Sequence, residues 1–294
     1  MSVEIRQVHP IFVGEVSGID VRKPLSPQEV AAIEAGMDRY AVLIFHDQDI
    51  TDEQQLTFTK NFGPLQDGAN TTVRSKELRL DPAFADVSNL DKDNRMLPRD
   101  DRRRISSLGN RLWHSDASFR PVPARYSLLS GRVVPPTGGN TEFADMRAAY
   151  DALDKATKAE IEDLVCGHSL IYSRAQLGFT EYTTEELATM EPAMQRLVRR
   201  HPVTGRKSLF LSAHIGTIAG WPQPEALAFI RDLTEHATQP AFVYSHKWRA
   251  GDLVIWDNRQ TMHRVRRFDD LSHVRDLRRT TTMSEGPTVT AQAA

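Results

Sequence analysis

The order of hydrophobic and polar positions predicts two capped helices near the start of the chain. Ser26 and Thr51 each open a capping box, in which Glu or Gln follows three residues later. We expect the two helices to end near Tyr40 and Phe62. The apolar run 41–45 between them is typical of a buried strand. The chain therefore begins with a helix, a strand and a second helix.

Short β-prone segments dominate the remaining sequence. Strands are predicted at 86–90, 126–134, 141–144, 241–247, 252–256 and 277–283, with a hairpin joining 197–201 to 208–212. Further helices are predicted at 146–153, 155–165 and 224–236, and the rest of 67–108 is expected to be irregular. Because helices and strands do not alternate, we expect a mainly β fold with flanking helices, a cupin-like double-sheet jelly roll. Without repeats or linkers, 1–283 should form a single domain, followed by a disordered tail over 284–294.

Composition narrows the possible function classes. The chain has 37 Lys and Arg against 39 Asp and Glu, a net charge of −2, which argues against a general nucleic-acid binder. Its single cysteine, Cys166, rules out an intrachain disulfide and a four-cysteine zinc site. We also find no signal peptide and no apolar run near the roughly 18 residues of a membrane span. We therefore expect a cytoplasmic protein whose metal site, if present, uses His and carboxylate ligands.

A His-x-Asp pair is the most informative polar motif. On an extended segment, side chains two residues apart point to the same face, so His114 and Asp116 can converge on one ion. His263, just after an apolar strand, is the best candidate for a third ligand. Two histidines and one carboxylate form the facial triad of non-haem iron(II) oxygenases. A lone His-x-Asp pair is also common among ordinary polar surface residues, so the motif needs further support.

Two arginines at and just before the last predicted strand add that support. Arg275 and Arg279 are four residues apart, which places both guanidinium groups on one face of a strand. An inward-facing arginine requires an anion, because an unpaired buried charge is costly. The planar guanidinium is also suited to gripping a carboxylate at two points. The pattern therefore indicates a site for small organic acids.

Three stretches together resemble a known family. They are LWHSDASFRPVPARYSLLS at 112–130, GGNTEFADMRAAYDAL at 138–153 and WDNRQTMHRVRR at 256–267. The chain is similar, from about residue 3 to 283, to the taurine dioxygenase family of Fe(II)- and 2-oxoglutarate-dependent dioxygenases. Within that family it most resembles the 2,4-dichlorophenoxyacetate dioxygenases. The resemblance implies a double-stranded β-helix, which is a jelly roll.

The same resemblance implies roles for the metal and cofactor residues. His114, Asp116 and His263 would be the iron ligands and so the catalytic centre. Arg275 would hold the distal carboxylate of 2-oxoglutarate, and Thr141 would add a hydroxyl hydrogen bond to it. The implied cofactors are Fe(II), with 2-oxoglutarate and O2 as co-substrates.

Substrate-side roles follow from the resemblance as well. Arg279 would receive the acidic group of the substrate, and Asn110 and His214 match further substrate positions. The segment 269–273 is about one residue longer than in similar proteins, so the alignment of Arg275 depends on the Arg-x-x-x-Arg spacing. Arg278 therefore remains a rival for the 2-oxoglutarate position.

The implied reaction hydroxylates the carbon beside the ether oxygen of an aryloxyalkanoate such as 2,4-dichlorophenoxyacetate. Its products would be a phenol, glyoxylate, succinate and CO2. One alternative is the same chemistry on a sulfonate or alkyl sulfate. Others are a cupin-like metal hydrolase or isomerase, and a binding protein for small acids. The implied partners are a small acidic substrate and other copies of the chain in a homo-oligomer, with no nucleic acid and no membrane.

Overall fold

The computed structural model describes residues 3–68 and 78–289, which are mainly β with helices at the edges. Its helices are α1 Pro27–Tyr40, α2 Asp52–Lys60, α3 Arg102–Ser107, α4 Met146–Asp151, α5 Lys155–Ile161, α6 Leu170–Ala175, α7 Thr184–Ala188 and α8 Gln223–Ala237. Its strands are β1 Glu4–Gln7, β2 Gly14–Ser17, β3 Val42–Phe45, β4 Ala85–Ser88, β5 Ala124–Val133, β6 Thr141–Asp145, β7 Val165–His168, β8 Ala193–Arg196, β9 Val198–Arg200, β10 Lys207–Leu209, β11 Ile215–Ile218, β12 Val243–His246, β13 Leu253–Asp257, β14 Thr261–Val265 and β15 Asp276–Met283.

The strands form one large sheet and three small ones within the described residues. The large sheet has seven strands in the order β1-β2-β3-β13-β5-β15-β4, and only its β2–β3 pair is parallel. A three-stranded sheet has the order β12-β6-β14, and another has the order β11-β7-β8. The remaining pair, β9 and β10, is an antiparallel hairpin.

Alternating side chains give the large sheet two apolar faces. On one face, Leu128 and Ile255 pack with Ile33 of α1 and Phe58 of α2. On the other face, the neighbouring positions of β5 and β13 pack with Phe143 of β6 in a separate cluster. The period of two in a strand explains this division, because successive side chains point to opposite faces. The β12-β6-β14 sheet therefore lies against the face of the large sheet that is free of helices.

Most of the predicted elements are confirmed. Both early helices carry complete capping boxes, on Ser26 and on Thr51, and the segment between them is a fully buried strand. The 197–212 hairpin and the helix at 224–236 are also present. Two predictions are wrong. The helix expected over 155–165 ends at Ile161, because β7 begins at Val165 and pairs with β8 and β11. The segment expected to be irregular contains α3.

The described end of the chain is held by hydrogen bonds. The Ser284 N–H donates to the carbonyl of Pro123 at 3.0 Å, and the Thr288 hydroxyl accepts from the backbone N–H of Arg196 at 3.0 Å. The rest of the predicted tail, 290–294, lies outside the described residues, as do 69–77 of the predicted irregular segment. Among the helices described, none has the length and apolar character needed to cross a bilayer.

Candidate metal centre and substrate cavities

Strand pairing brings the three predicted ligands together. The backbone N–H of His114 donates to the carbonyl of His263 at 3.0 Å, and the N–H of His263 donates back at 2.9 Å. This antiparallel bridge joins the segment that follows the 3-10 turn Leu108–Arg111 to β14 and places the centres of the two rings 4.2 Å apart. Asp116 lies on the same side, and one ligand atom from each of the three residues falls within 4.8 Å of the others. All three side chains are buried.

The imidazole nitrogens are prepared for a cation. His114 Nδ1 lies 2.8 Å from the carbonyl of Leu112, so the proton resides on Nδ1 and Nε2 is a free acceptor. The Nε2 atoms of His114 and His263 lie 3.8 and 3.7 Å from the Asp116 carboxylate oxygens. Burial lowers the pKa of both histidines, which favours the neutral form that a metal requires.

Asp116 is held as a carboxylate by its neighbours. Burial alone would raise its pKa, but its neighbours, first of all the charge of the Arg279 guanidinium beside it, outweigh burial and leave the pKa at about 2. Arg279 Nη1 contacts one carboxylate oxygen, and the Ser127 hydroxyl donates to the other at 2.7 Å. Asn258 accepts from the backbone N–H of Asp116 at 3.0 Å. The carboxylate is therefore ionised and fixed in orientation.

One cavity extends from His263 to Arg275, and we call it the Arg275 cavity. It has a volume of about 90 Å³ and is also lined by Thr141 and Phe268. The Thr141 hydroxyl accepts from the indole N–H of Trp248 at 2.9 Å, which leaves its own hydrogen free to donate. Arg275 is only 4% exposed, its Nε has no hydrogen-bond partner, and no carboxylate among the described residues contacts it. This cavity offers both a cation and a hydroxyl donor to an acid.

Arg278 lies on the face of β15 that points away from Arg279 and the histidines. Its guanidinium bonds to Asp52 at 2.7 Å and to Asp276 at 3.0 Å, next to α2. Arg278 lines neither the Arg275 cavity nor a second cavity beside His114. The alternation of β15 explains the separation, because Arg278 and Arg279 must point to opposite faces.

A second cavity, of about 200 Å³, lies on the other side of His114, and we call it the Arg174 cavity. Three residues expected on the substrate side, Asn110, His214 and Arg279, line it together with Arg174. The apolar part of its wall includes Phe84, Leu90, Leu97, Phe119 and Leu170. The two cavities share His114, Asn110 and Arg279. The centre therefore lies between a smaller cavity that contains Arg275 and a larger cavity that contains Arg174.

The hydrogen bonds of Ser173 determine the state of His214. The Ser173 hydroxyl donates to the carbonyl of Leu170 at 2.8 Å and accepts from Arg174 Nη1 at 3.2 Å. With its single proton used, it must also accept from His214 Nδ1, 2.8 Å away. Burial, followed by the charge of Arg174, lowers the pKa of His214 well below its ordinary value. His214 is therefore a neutral ring with Nε2 as an acceptor.

Four residues that contribute to the site were not predicted from the sequence. Trp248 donates a hydrogen bond to Thr141, and Ser127 donates one to Asp116. Arg174 lines the cavity named after it. Asn258 stood inside the 256–267 motif but received no role. No local pattern identifies Arg174 or Trp248, because each acquires its meaning only from partners distant in the sequence.

Comparison with known proteins identifies similar proteins over most of the chain. The family model described as taurine catabolism dioxygenase TauD, TfdA family matches residues 4–281. The alpha-ketoglutarate-dependent 2,4-dichlorophenoxyacetate dioxygenase of Cupriavidus pinatubonensis is 46% identical over 97% of this chain and 99% of its own length. The (S)-phenoxypropionate/alpha-ketoglutarate dioxygenase of Delftia acidovorans is 37% identical over 81% of each chain.

A solved structure is similar over almost the whole chain. The crystal structure of AAD-2 in complex with Mn(II) and N-oxalylglycine superposes with a TM-score of 0.91 at 61% identity, covering 99% of this chain and 100% of that one. Full-length matches of sequence and structure therefore agree with the family model. The chain belongs to the TauD/TfdA family of dioxygenases.

Proposed function

We propose that this chain is an Fe(II)- and 2-oxoglutarate-dependent dioxygenase acting on aryloxyalkanoates such as 2,4-dichlorophenoxyacetate. The observation that carries the proposal is the buried His114, Asp116 and His263 cluster between two arginine-lined cavities. Two imidazoles and one carboxylate are the donor set of non-haem iron(II) oxygenases. The relatives named above act on phenoxyacetate and phenoxypropionate compounds.

The donor atoms fit an iron ion. Both Nε2 atoms face an ionised carboxylate, and burial keeps both rings neutral. Ser127 and Asn258 keep Asp116 in place for coordination. These hydrogen bonds fix the orientation of a metal ligand from the side that faces away from the ion, as is common in metal sites. When bound, Fe(II) with 2-oxoglutarate and O2 supplies the oxidising chemistry that hydroxylates a C–H bond.

The Arg275 cavity fits 2-oxoglutarate. Arg275 would bind the distal carboxylate, because a buried guanidinium without a carboxylate of its own requires an anion. Thr141 would donate its free hydroxyl hydrogen to the same carboxylate while Trp248 holds the oxygen. Arg278 already has two carboxylate partners on the other face of β15, so it has no comparable need for a ligand.

The Arg174 cavity fits the aryl acid. Its apolar walls would exclude water from the aromatic ring, and Arg279 would bind the acid group next to the metal. Asn110 and His214 would contact the substrate beside His114. Hydroxylation of the carbon next to the ether oxygen yields a hemiacetal, which collapses to a phenol and glyoxylate. The co-products are succinate and CO2.

An oxygen-electrode panel tests the substrate class. With Fe(II) and 2-oxoglutarate present, we expect O2 uptake on adding 2,4-dichlorophenoxyacetate and a slower response to taurine or an alkyl sulfate. A faster response to the sulfonate or sulfate would contradict the aryloxyalkanoate assignment. Activity with zinc and no O2 uptake would instead support a metal hydrolase.

We also propose the larger organisation that the family membership implies. Residues 1–283 would form one dioxygenase domain, and the large sheet facing β12-β6-β14 would be a double-stranded β-helix. A single buried cysteine, Cys166, suits a reducing cytoplasm. A homo-oligomer is expected from the resemblance to the family, and light scattering on the purified chain checks it.

A further inference from the structure

Among the described residues, four arginines line the Arg174 cavity, and three of them face a carboxylate. The three ion pairs are Arg79 with Asp86, Arg103 with Asp101, and Arg279 with Asp116. Arg174 is the exception. No carboxylate among the described residues contacts it, although its side chain is buried with only 7% of the residue exposed.

The contacts of Arg174 leave most of its donors unused. Nη1 donates to the Ser173 hydroxyl at 3.2 Å, and Nε is buried without a partner. A guanidinium has five N–H donors and stays charged at neutral pH, so one neutral hydroxyl cannot satisfy it. A buried cation of this kind is costly unless an anion reaches it.

The backbone around Arg174 is shaped to admit the guanidinium. A Cβ atom on Gly109 would lie 2.3 Å from both Cζ and Nη1 of Arg174, so only glycine leaves room for the group there. The next residue, Asn110, also lines the cavity. Arg174 does not line the Arg275 cavity, so 2-oxoglutarate bound there is not its partner.

We propose that Arg174 binds the carboxylate of the acidic substrate, as a second guanidinium in the same cavity as Arg279. This inference rests on the proposed function and adds a specificity residue to it. The carboxylate is the only anionic group of an aryloxyacetate, and a chlorine or an ether oxygen would leave the charge of Arg174 uncompensated. Arg279 already contacts Asp116, so the unmet need for an anion lies at Arg174. The pair would select acids over neutral aryl ethers.

Substitution of Arg174 tests the inference. In Arg174→Gln, with Fe(II) and 2-oxoglutarate saturating, we expect KM for 2,4-dichlorophenoxyacetate to rise about 10- to 100-fold, the worth of a hydrogen bond to a charged group. Inhibition by the neutral 2,4-dichlorophenoxyacetamide should be unchanged. Arg174→Lys should recover part of the loss, because it keeps the charge but not the planar fork.

Two further variants separate binding from folding. Gly109→Ala keeps the charge of Arg174 but displaces the guanidinium, so it too should raise KM for the acid. Arg199→Gln is the matched control, because Arg199 also has a buried, unpartnered guanidinium nitrogen but lies over Phe210 and lines neither cavity. It should keep the wild-type KM. Calorimetric binding of 2-oxoglutarate to each Mn(II)-loaded variant reports whether the fold is intact.

The outcomes are distinguishable. Wild-type KM for the acid in Arg174→Gln overturns the inference, and so does an equal loss of affinity for acid and amide, which would indicate a role in cavity shape. If Arg174→Gln does not bind 2-oxoglutarate, its fold is not intact and the test relies on Gly109→Ala. An unchanged KM for the acid in Gly109→Ala then overturns the inference. If the wild-type protein itself consumes no 2-oxoglutarate with any aryloxyacetate, the proposed function fails and this inference fails with it.

Discussion

Replacement of Arg275 by Met should weaken 2-oxoglutarate binding without weakening the protein itself. Met is a flexible apolar side chain that fills much of the space of the arginine stem but carries no charge. Among the described residues, the Arg275 guanidinium makes two long hydrogen bonds, both 3.4 Å, to the carbonyls of Val87 and Gly139, and it lies 5.8 Å from the centre of the Phe268 ring. The substitution therefore removes few native interactions and one buried charge.

Two magnitudes follow from this environment. Burial lowers the pKa of Arg275 to about 10, so the free protein bears a cost of about 3 kcal/mol for keeping the group charged. Loss of that cost should leave Arg275→Met at least as stable as the wild type without ligand. Truncating one partner of a buried charge pair costs about 2–5 kcal/mol, so 2-oxoglutarate should bind at least about 30-fold more weakly.

Calorimetry with Mn(II)-loaded protein and a thermal melt without ligand measure both effects. Arg278→Met is the matched control, three residues further along the chain. It should keep wild-type affinity for 2-oxoglutarate and melt at a lower temperature, because it removes one ion pair each from Asp52 and Asp276, which keep Arg132 and Arg79 as partners. The reasoning is refuted if Arg278→Met loses 2-oxoglutarate binding while Arg275→Met retains it.

Three further predictions concern the metal ligands, the stability of the protein at low pH and the turn that contains Gly138. Asp116→Ala and His263→Ala should abolish turnover and Mn(II) binding yet keep the wild-type circular dichroism spectrum; a collapsed spectrum would make these residues structural. Burial would raise the pKa of Asp257, but Arg259 keeps it far below the ordinary value. Its stabilising effect should therefore be complete above pH of about 4 and decline as pH falls below that. Asp257→Asn should lower the urea midpoint at pH 7 and differ less from wild type at pH 3; a constant difference would argue against ionisation. Gly138→Ala, at φ 73° and with its Cβ 2.4 Å from a backbone carbonyl, should cost at least about 1 kcal/mol in thermal unfolding, and an unchanged melt would contradict this strain.

Local patterns predicted the parts of the fold that depend on neighbouring residues. The capping boxes on Ser26 and Thr51 define helix starts because each needs only four consecutive residues. The His-x-Asp motif worked in the same way, since its two side chains share a face of one extended segment. His263 was chosen as the third ligand from its place after an apolar strand and then from the resemblance of its motif. Its backbone bridge to His114 is a long-range pairing that no local pattern contains.

The wrong and missing assignments have the same physical origin. The residues after Ile161 continue a helical pattern of apolar positions, but β7 takes Val165 because two partner strands are present there. Arg174 is one of 37 Lys and Arg residues in the sequence, and only the structure shows that it is buried inside the larger cavity without a carboxylate partner among the described residues. Tertiary contacts override local propensity in the first case and create the functional signal in the second.

Product stoichiometry tests the central claim most directly. Wild-type protein with Fe(II), O2, 2-oxoglutarate and 2,4-dichlorophenoxyacetate is analysed for phenol and succinate, with Asp116→Ala beside it. We expect the wild-type protein to form phenol and succinate in equal amounts. Neither product should form when 2-oxoglutarate is omitted, and Asp116→Ala should form neither. Phenol released without 2-oxoglutarate, or undiminished in Asp116→Ala, would contradict it.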